Sequence, residues 1–317
     1  MITPDYYEKF CCIGGECQHN CCMGEWDIEV DDEAKARFDK INGAFGERIR
    51  ASVNDENVFI RKNGKCPLLS SDGLCEMVLN GHKLCIICDE YPRFTEFYGD
   101  YTERGISLSC EAASKIILDN ENKVTLTGET GECCEDIFNL LYGSRNDIFQ
   151  ILQDRAMSVS SRIRLVLDYG EKLQEQINNN DYSAFEYVPV DRLSNGKDNT
   201  SVFEFLSELD YLSDDWCDIL RNHREYVINN EIQVEQLAVY FVYRYFLKAV
   251  FDCDALSKLK LMAISVIAIA SLKGDIYENS RRYSVEVEHN EDNVEMIYDE
   301  FLFNEDFSTE NIINMIK

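Results

Sequence analysis

The run Phe10-Cys11-Cys12-Ile13-Gly14-Gly15-Glu16-Cys17-Gln18-His19-Asn20-Cys21-Cys22 puts five thiols into twelve residues, with glycines that let the backbone fold back. Thiolates at that density are the donor set of a soft-metal site. Seven more follow before residue 135, at Cys66, Cys75, Cys85, Cys88, Cys110, Cys133 and Cys134, and afterwards only Cys217 and Cys253 remain. Cysteine used as a small core residue would be scattered, so this concentration reads as a metal-built N-terminal unit. Nine positions are candidate ligands: Cys12, Cys17, Cys21, Cys22, Cys66, Cys75, Cys85, Cys88 and Cys110. The sharpest spacing is the C-x-x-C of Cys85 and Cys88, whose sulfurs can face one ion across a turn just before Pro92 stops any helix. Cys21 and Cys22 point apart and are expected to serve different sites, or one to serve none. Nine exceeds four, so either two four-ligand sites exist or some thiols are structural. All-thiolate tetrahedral sites hold zinc or an iron-sulfur cluster, and spacing does not separate the two. The C-x-x-x-C-x-x-C triplet of radical enzymes is absent, since Gly24 follows Cys17 and Cys21 at the third position.

Three further side chains bear on chemistry. His19 lies inside the thiol run and could replace a thiolate, although a solvated loop histidine is the ordinary expectation. Arg244 stands in Tyr240-Phe241-Val242-Tyr243-Arg244-Tyr245-Phe246, where a guanidinium among aromatic rings either binds a carboxylate ligand or is stacked structurally. His289 follows Glu288 and precedes Asn290, a cap for the next helix, so a histidine and carboxylate there could serve an acid-base step or form a solvated turn. Neither G-x-G-x-x-G nor G-x-x-x-x-G-K-S/T occurs, which leaves a Rossmann or P-loop nucleotide site without support.

The elements that must position these residues differ between the two ends of the chain. Trp26 to Val30 alternates apolar and acidic residues as a short strand would, and Asp31 or Asp32 is placed to cap a helix over 33–51. Asn63-Gly64 between apolar runs is a hairpin signal that brings Cys66 beside a tight turn. Cys75 is expected to open a short helix through Leu79, and Cys110 to sit in the first turn of a helix of about ten residues, where the dipole favours a thiolate. The polar, glycine-dotted stretch from Glu121 to Gly131 reads as a domain boundary. The division is a cysteine-rich unit at 1–125 and a helical domain at 126–317. Apolar residues at three-and-four spacing predict helices at 134–155, 159–178, 201–210, 214–229, 233–252, 255–273, 291–303 and 308–316, with an extended loop over 178–200. The fold class is therefore mainly α, a cysteine-rich metal-binding unit with short strands and a hairpin packed on an all-helical domain.

Composition narrows the partners. With 317 residues and 45% apolar content the chain can bury a sizeable core. No signal peptide opens it, so a cytoplasmic chain with reduced thiols is expected, and adjacent cysteine pairs suit separate disulfide bridges poorly. A net charge of −28 argues against nucleic acid as a partner. The apolar run Leu261–Leu272 is shorter than the ~20 residues that cross a bilayer, so no membrane span is expected.

Phe10 to Cys22 with Trp26, Cys66-Pro67-Leu68-Leu69, Gly73-Leu74-Cys75, Leu84 to Cys88, Tyr91-Pro92-Arg93 and Leu108 to Ala113 together resemble the flagellin lysine-N-methylase family. That family is related to the broader group of CxxCxxCC zinc- or iron-chelating proteins. Tyr243 to Phe246, and Tyr283 through Glu288 and His289 with Asn293, resemble family positions in the second half. The resemblance implies S-adenosylmethionine-dependent methylation of lysine side chains on flagellin, with Glu288 and His289 in catalysis and Arg244 on the cofactor. It also implies an iron-sulfur cluster (4Fe-4S) on the N-terminal cysteines, with zinc as the alternative. Methyl transfer to lysine needs a neutral amine lined up behind a sulfonium methyl group. The competing reading is a non-enzymatic metal-binding or redox-sensing module whose acidic helical domain binds a partner protein.

Overall fold

Two apolar cores of unequal size organise the chain. The computed structural model describes residues 1–24, 26–190 and 192–317. After a short strand, β1 (Ile2–Pro4), the backbone leaves on an excursion holding nine of the cysteines and four short helices: α1 (Asp32–Phe38), α2 (Gly43–Ala51), α3 (Glu76–Leu79) and α4 (Ile86–Glu90). Ile28, Val30, Phe38, Ile49, Phe59 and Met77 form its small core. The helix expected over 33–51 is broken in two, because Gly43 takes a left-handed φ of 78° and the chain folds back there. The strand expected at Trp26–Val30 reduces to one bridge, Glu29 to Val58; Ile28 and Val30 do face the core, but the partner segment is too irregular to extend a ladder. Asn63 and Gly64 both adopt positive φ and close the expected turn between Lys62 and Lys65.

The chain then rejoins β1. An antiparallel hairpin of β2 (Arg93–Tyr98) and β3 (Tyr101–Ile106), then α5 (Glu111–Leu118) and β4 (Leu126–Gly128), complete a four-stranded sheet in the order β2-β3-β1-β4, with β1 parallel to β3 and antiparallel to β4. Sequence reasoning gave no hairpin here. Its pattern is obscured by Glu103, which faces inward and is almost fully buried because Arg145 takes both its oxygens at 2.6 and 2.7 Å.

The sheet and the remaining helices share the large core: α6 (Phe138–Leu152), α7 (Val159–Asn178), α8 (Thr200–Leu206), α9 (Trp216–Arg221), α10 (Glu231–Tyr245), α11 (Ala249–Asp252), α12 (Ala255–Ser271), α13 (Ile276–Tyr283), α14 (Glu291–Phe303) and α15 (Thr309–Met315). The mainly helical expectation holds. α12 is the buried axis, packed against α7, α10, α13, α14 and α15. Gly170 allows the closest approach of α7, since a Cβ there would lie 2.7 Å from Leu259 Cδ1. The helix expected over 214–229 stops at Arg221 because the Arg224 N–H donates to Ser271 on α12 instead (2.8 Å). The sequence predicts no helix over α13, because it is polar; buried Asn279 and Tyr283 bond to Ile269 and Ser265 on α12 and anchor it. Beyond α13 the backbone widens into a π-helical turn, Ser284–Glu288. Among the described residues no helix is long and apolar enough to cross a membrane.

Candidate functional site

The thiols gather because turns and helix caps hold them. Cys21 and Cys22 occupy a 3-10 turn; the Asn20 side chain accepts from the Cys22 N–H (2.9 Å) and donates to the Gly73 carbonyl (3.0 Å). The Cys66 N–H donates to the Cys22 carbonyl (2.8 Å), tying the second segment to the first. Cys75 and Cys85 are the N-caps of α3 and α4. Asp31 joins two elements, one oxygen capping α1 at Ala34 and the other accepting from Ile86 N–H in the first turn of α4, both at 2.8 Å. Cys66 and Cys85 are buried in the small core, with Cys22, Cys75 and Cys88 at its edge.

Neighbouring thiols perturb one another. Sharing of the Cys22 thiol proton lowers Cys21 and Cys66 to about 7 and pushes Cys22 itself upward. Cys88 does the same for Cys85, which is lowered while Cys88 rises, and Cys88 also feels Cys66 and Cys21. Burial, followed by the fields of neighbouring groups that include Cys66 and Cys85, raises Cys75. Cys17 and Cys110 stand to one side. Burial and then the Glu111 carboxylate push Cys17 up to about 12, its thiol donating to Glu111 Oε2 at 3.4 Å, while burial raises Cys110, which feels Cys21 and Cys12. All fourteen cysteines are free thiols.

Among the described residues no three His, Cys, Asp or Glu side chains converge to hold an ion. The donor chemistry suits zinc or iron-sulfur, and the thiols lie in two hydrogen-bonded groups, Cys21 with Cys22 and Cys66, and Cys85 with Cys88. Cys21 and Cys22 lie within reach of each other, since a 3-10 turn, unlike a strand, keeps adjacent thiols close. His19 faces away from the thiols, with Nε2 3.0 Å from Glu278 on α13.

Arg244, Glu288 and His289 do come together. Glu288, at the end of the π turn, is buried; its carboxylate accepts from the Tyr240 hydroxyl (3.0 Å), the Tyr245 hydroxyl (3.3 Å) and Ser284 Oγ. Arg244 Nε lies 3.9 Å from Glu288 and donates to Tyr245 (3.1 Å), Nη1 donates to Tyr240 (3.3 Å), and the guanidinium stacks 4.5 Å from the Phe94 ring centroid. The carboxylate and guanidinium thus share two tyrosines. His289 keeps one edge in solvent while its ring stacks on Trp26 (5.5 Å) and Tyr91 (6.2 Å), joining the cysteine excursion to the helices. Burial of the ring and then the Arg244 cation push its pKa below the ordinary histidine range, so it is neutral near pH 7. Sequence reasoning missed Tyr240, Tyr245 and Ser284. Their signal was the i,i+4 spacing of Tyr240 to Arg244 and of Ser284 to Glu288, which places each pair on one helical face. Two surface cavities, of about 460 Å³ beside Lys115 and Asn120 and about 510 Å³ beside Arg37 and His82, do not border this cluster.

A cysteine-rich excursion set against a helical core with a buried Arg-Glu-Tyr cluster is the class of protein that these features define. No protein-family model and no solved structure matches the chain. In sequence it is 27% identical over 145 residues to proteins named lysine-N-methylase in Salmonella typhimurium and Salmonella choleraesuis, covering 41% of this chain and 35% of theirs. It is also 27% identical over 141 residues to the flagellar biosynthetic protein FliU of Salmonella muenchen, covering 40% of this chain and 81% of that protein. The similarity spans about a third of the length of the two relatives named lysine-N-methylase.

Proposed function

We propose that this chain acts in S-adenosylmethionine-dependent methylation of lysine side chains on flagellin, with a thiolate-bound metal centre in the cysteine-rich excursion. The observation that carries this reading is the similarity to lysine-N-methylases and to a flagellar biosynthetic protein. The sulfonium cofactor, when bound, supplies an electrophilic methyl group. Arg244 has the planar donors to pair with a carboxylate such as the one on that cofactor's amino-acid end. Glu288 and neutral His289 are the proton acceptors nearest that guanidinium, and one of them must take the proton that a lysine ammonium sheds before its lone pair can attack. Cys12, Cys17, Cys21, Cys22, Cys66, Cys75, Cys85, Cys88 and Cys110 are the donors from which an iron-sulfur cluster or zinc would be held.

Full-length protein purified without air, incubated with labelled S-adenosylmethionine and flagellin, is expected to place label on lysine. No incorporation, together with an unchanged melting temperature on adding S-adenosylmethionine, rejects the reading. Elemental analysis with a visible absorbance scan separates iron-sulfur from zinc, because zinc has a filled d shell and no visible band.

A second reading is favoured by one observation, the net charge of −28 on the chain. On it the excursion is a metal-binding or redox-sensing module and the acidic helical part docks a partner protein. It requires bound metal with no methyl transfer in the same experiment.

A further inference from the structure

Between the thiol-bearing turns and buried Glu288 runs an unbroken series of hydroxyls. The Tyr91 hydroxyl, three residues beyond Cys88, donates to Ser109 Oγ at 3.2 Å. Ser109 Oγ donates to Ser107 Oγ at 3.0 Å, Ser107 Oγ lies 3.2 Å from Ser284 Oγ, and Ser284 donates to the Glu288 carboxylate. Three segments contribute: the end of α4, the turn between β3 and α5, and the π turn; Tyr240 on α10 braces the turn, its hydroxyl accepting from the Leu108 N–H at 3.4 Å. Ser107, Ser109 and Ser284 are buried, while Tyr91 is only partly covered. Packing alone does not call for four consecutive hydroxyls, since a buried serine away from its partners costs stability. Each of these hydroxyls can give one hydrogen bond and take one, which is the arrangement along which a proton is passed.

We propose that Tyr91, Ser109, Ser107 and Ser284 form a proton path joining buried Glu288 to the edge of the cysteine-rich excursion. The path stands on the distances alone; its use in catalysis rests on the methyl-transfer reading. In that reaction the lysine nitrogen bonds to the methyl carbon as the carbon–sulfur bond breaks, with the electron pair left on sulfur. One proton is shed by the lysine ammonium for each methyl gained. Glu288 takes it, the hydroxyls rotate so that each donates outward, and the proton passes along them to Tyr91 and water, each releasing a proton as it accepts one. Glu288 is the acceptor; the four hydroxyl residues are positioning residues that act through it. Facing the carboxylate besides Ser284 are Arg244, Tyr240, Tyr245 and Tyr283, all in their protonated forms at neutral pH because burial raises the tyrosines.

The test uses the full chain as wild type, Tyr91→Phe and Ser107→Ala, with equal melting temperatures as the folding control and Ser284→Ala as the replacement if Ser107→Ala is unstable. The Glu288 carboxylate stretch is identified in the infrared as the band lost in Glu288→Gln. It is expected to shift in Tyr91→Phe, although three hydroxyls separate Tyr91 from that carboxylate. With flagellin and labelled S-adenosylmethionine, Tyr91→Phe is expected to lower kcat by about tenfold or more, with KM unchanged and a larger solvent isotope effect. An unmoved band in both variants overturns the path, whatever turnover does. A shifted band with unchanged kcat overturns its use in the reaction. A wild type that transfers no methyl overturns the methyl-transfer reading, and the band still decides the path.

Discussion

Glu288 is a carboxylate with almost no contact with water, and its charge is matched by three hydroxyl donors and a guanidinium 3.9 Å away. Its chain neighbour His289 packs against two aromatic rings from the cysteine excursion, Trp26 and Tyr91, which also touch each other. The lowered pKa of that ring has a definite sign. In the unfolded chain histidine takes a proton near pH 6.5, whereas in the folded chain burial and Arg244 delay protonation to lower pH. Stability is therefore complete above the unfolded value and is lost as pH falls from there toward the folded pKa of about 4. Urea midpoints at pH 7 and pH 5 are expected to lie closer together in His289→Asn than in wild type. A sharper test of residue-scale energetics is Arg145, whose guanidinium and partner Glu103 are both fully buried and bidentate. Arg145→Ala leaves that carboxylate uncompensated and is expected to cost roughly 3–5 kcal/mol in chemical denaturation. The sequence made Arg244, Glu288 and His289 visible as candidates but not as neighbours, because their contact depends on a π turn that polar residues alone do not announce.

At the scale of elements, the excursion depends on caps more than on helix length. None of its four helices exceeds nine residues, and isolated helices that short are not stable in water. Asp31 compensates by serving α1 and α4 at once. The Ile86 N–H, against the small cost of burial, holds its pKa below the usual carboxylate range, with Ala34 N–H and Arg37 adding to the effect. Asp31→Ala is expected to cost about 1–2 kcal/mol and to raise amide exchange at Ile86 as well as at Ala34, which hydrogen exchange would resolve. A loss confined to α1 would show that the second contact carries no weight. The cap at Asp31 was legible in the sequence, since an aspartate before an amphipathic run is a start signal. Its second partner was not, because 55 residues separate Asp31 from Ile86.

For the whole molecule, the two cores differ in what sustains them. The large core runs through the sheet and the helices, with α12 buried on nearly every face. The small one closes over ten buried residues, two of them cysteines, which is little apolar mass for some eighty residues of chain. Metal ligation is the usual remedy for such a unit. Chelation of the anaerobically purified protein is expected to melt the excursion in a first transition while the helices unfold separately at higher temperature. One cooperative transition at an unchanged temperature would mean that the thiols hold nothing. The Trp26, Tyr91 and His289 contact is where loss of the first unit would be felt by the second.

What the sequence determined by itself is what local chemistry determines: the clustering of thiols, the caps at Asp31, Cys75 and Asn290, the Asn63-Gly64 turn, and helices such as α7 and α12 whose apolar spacing is uninterrupted. Only the tertiary structure decided the β2–β3 hairpin, whose inward glutamate needs an arginine 42 residues away, and α13, whose polar residues are satisfied by α12. It also decided the hydroxyl series from Tyr91 to Glu288, because its central bond joins Ser107 to Ser284, 177 residues apart. Periodicity and caps report interactions between residues a few positions apart. A buried polar group is explained by its partner, and partners distant in sequence meet only when the chain has packed.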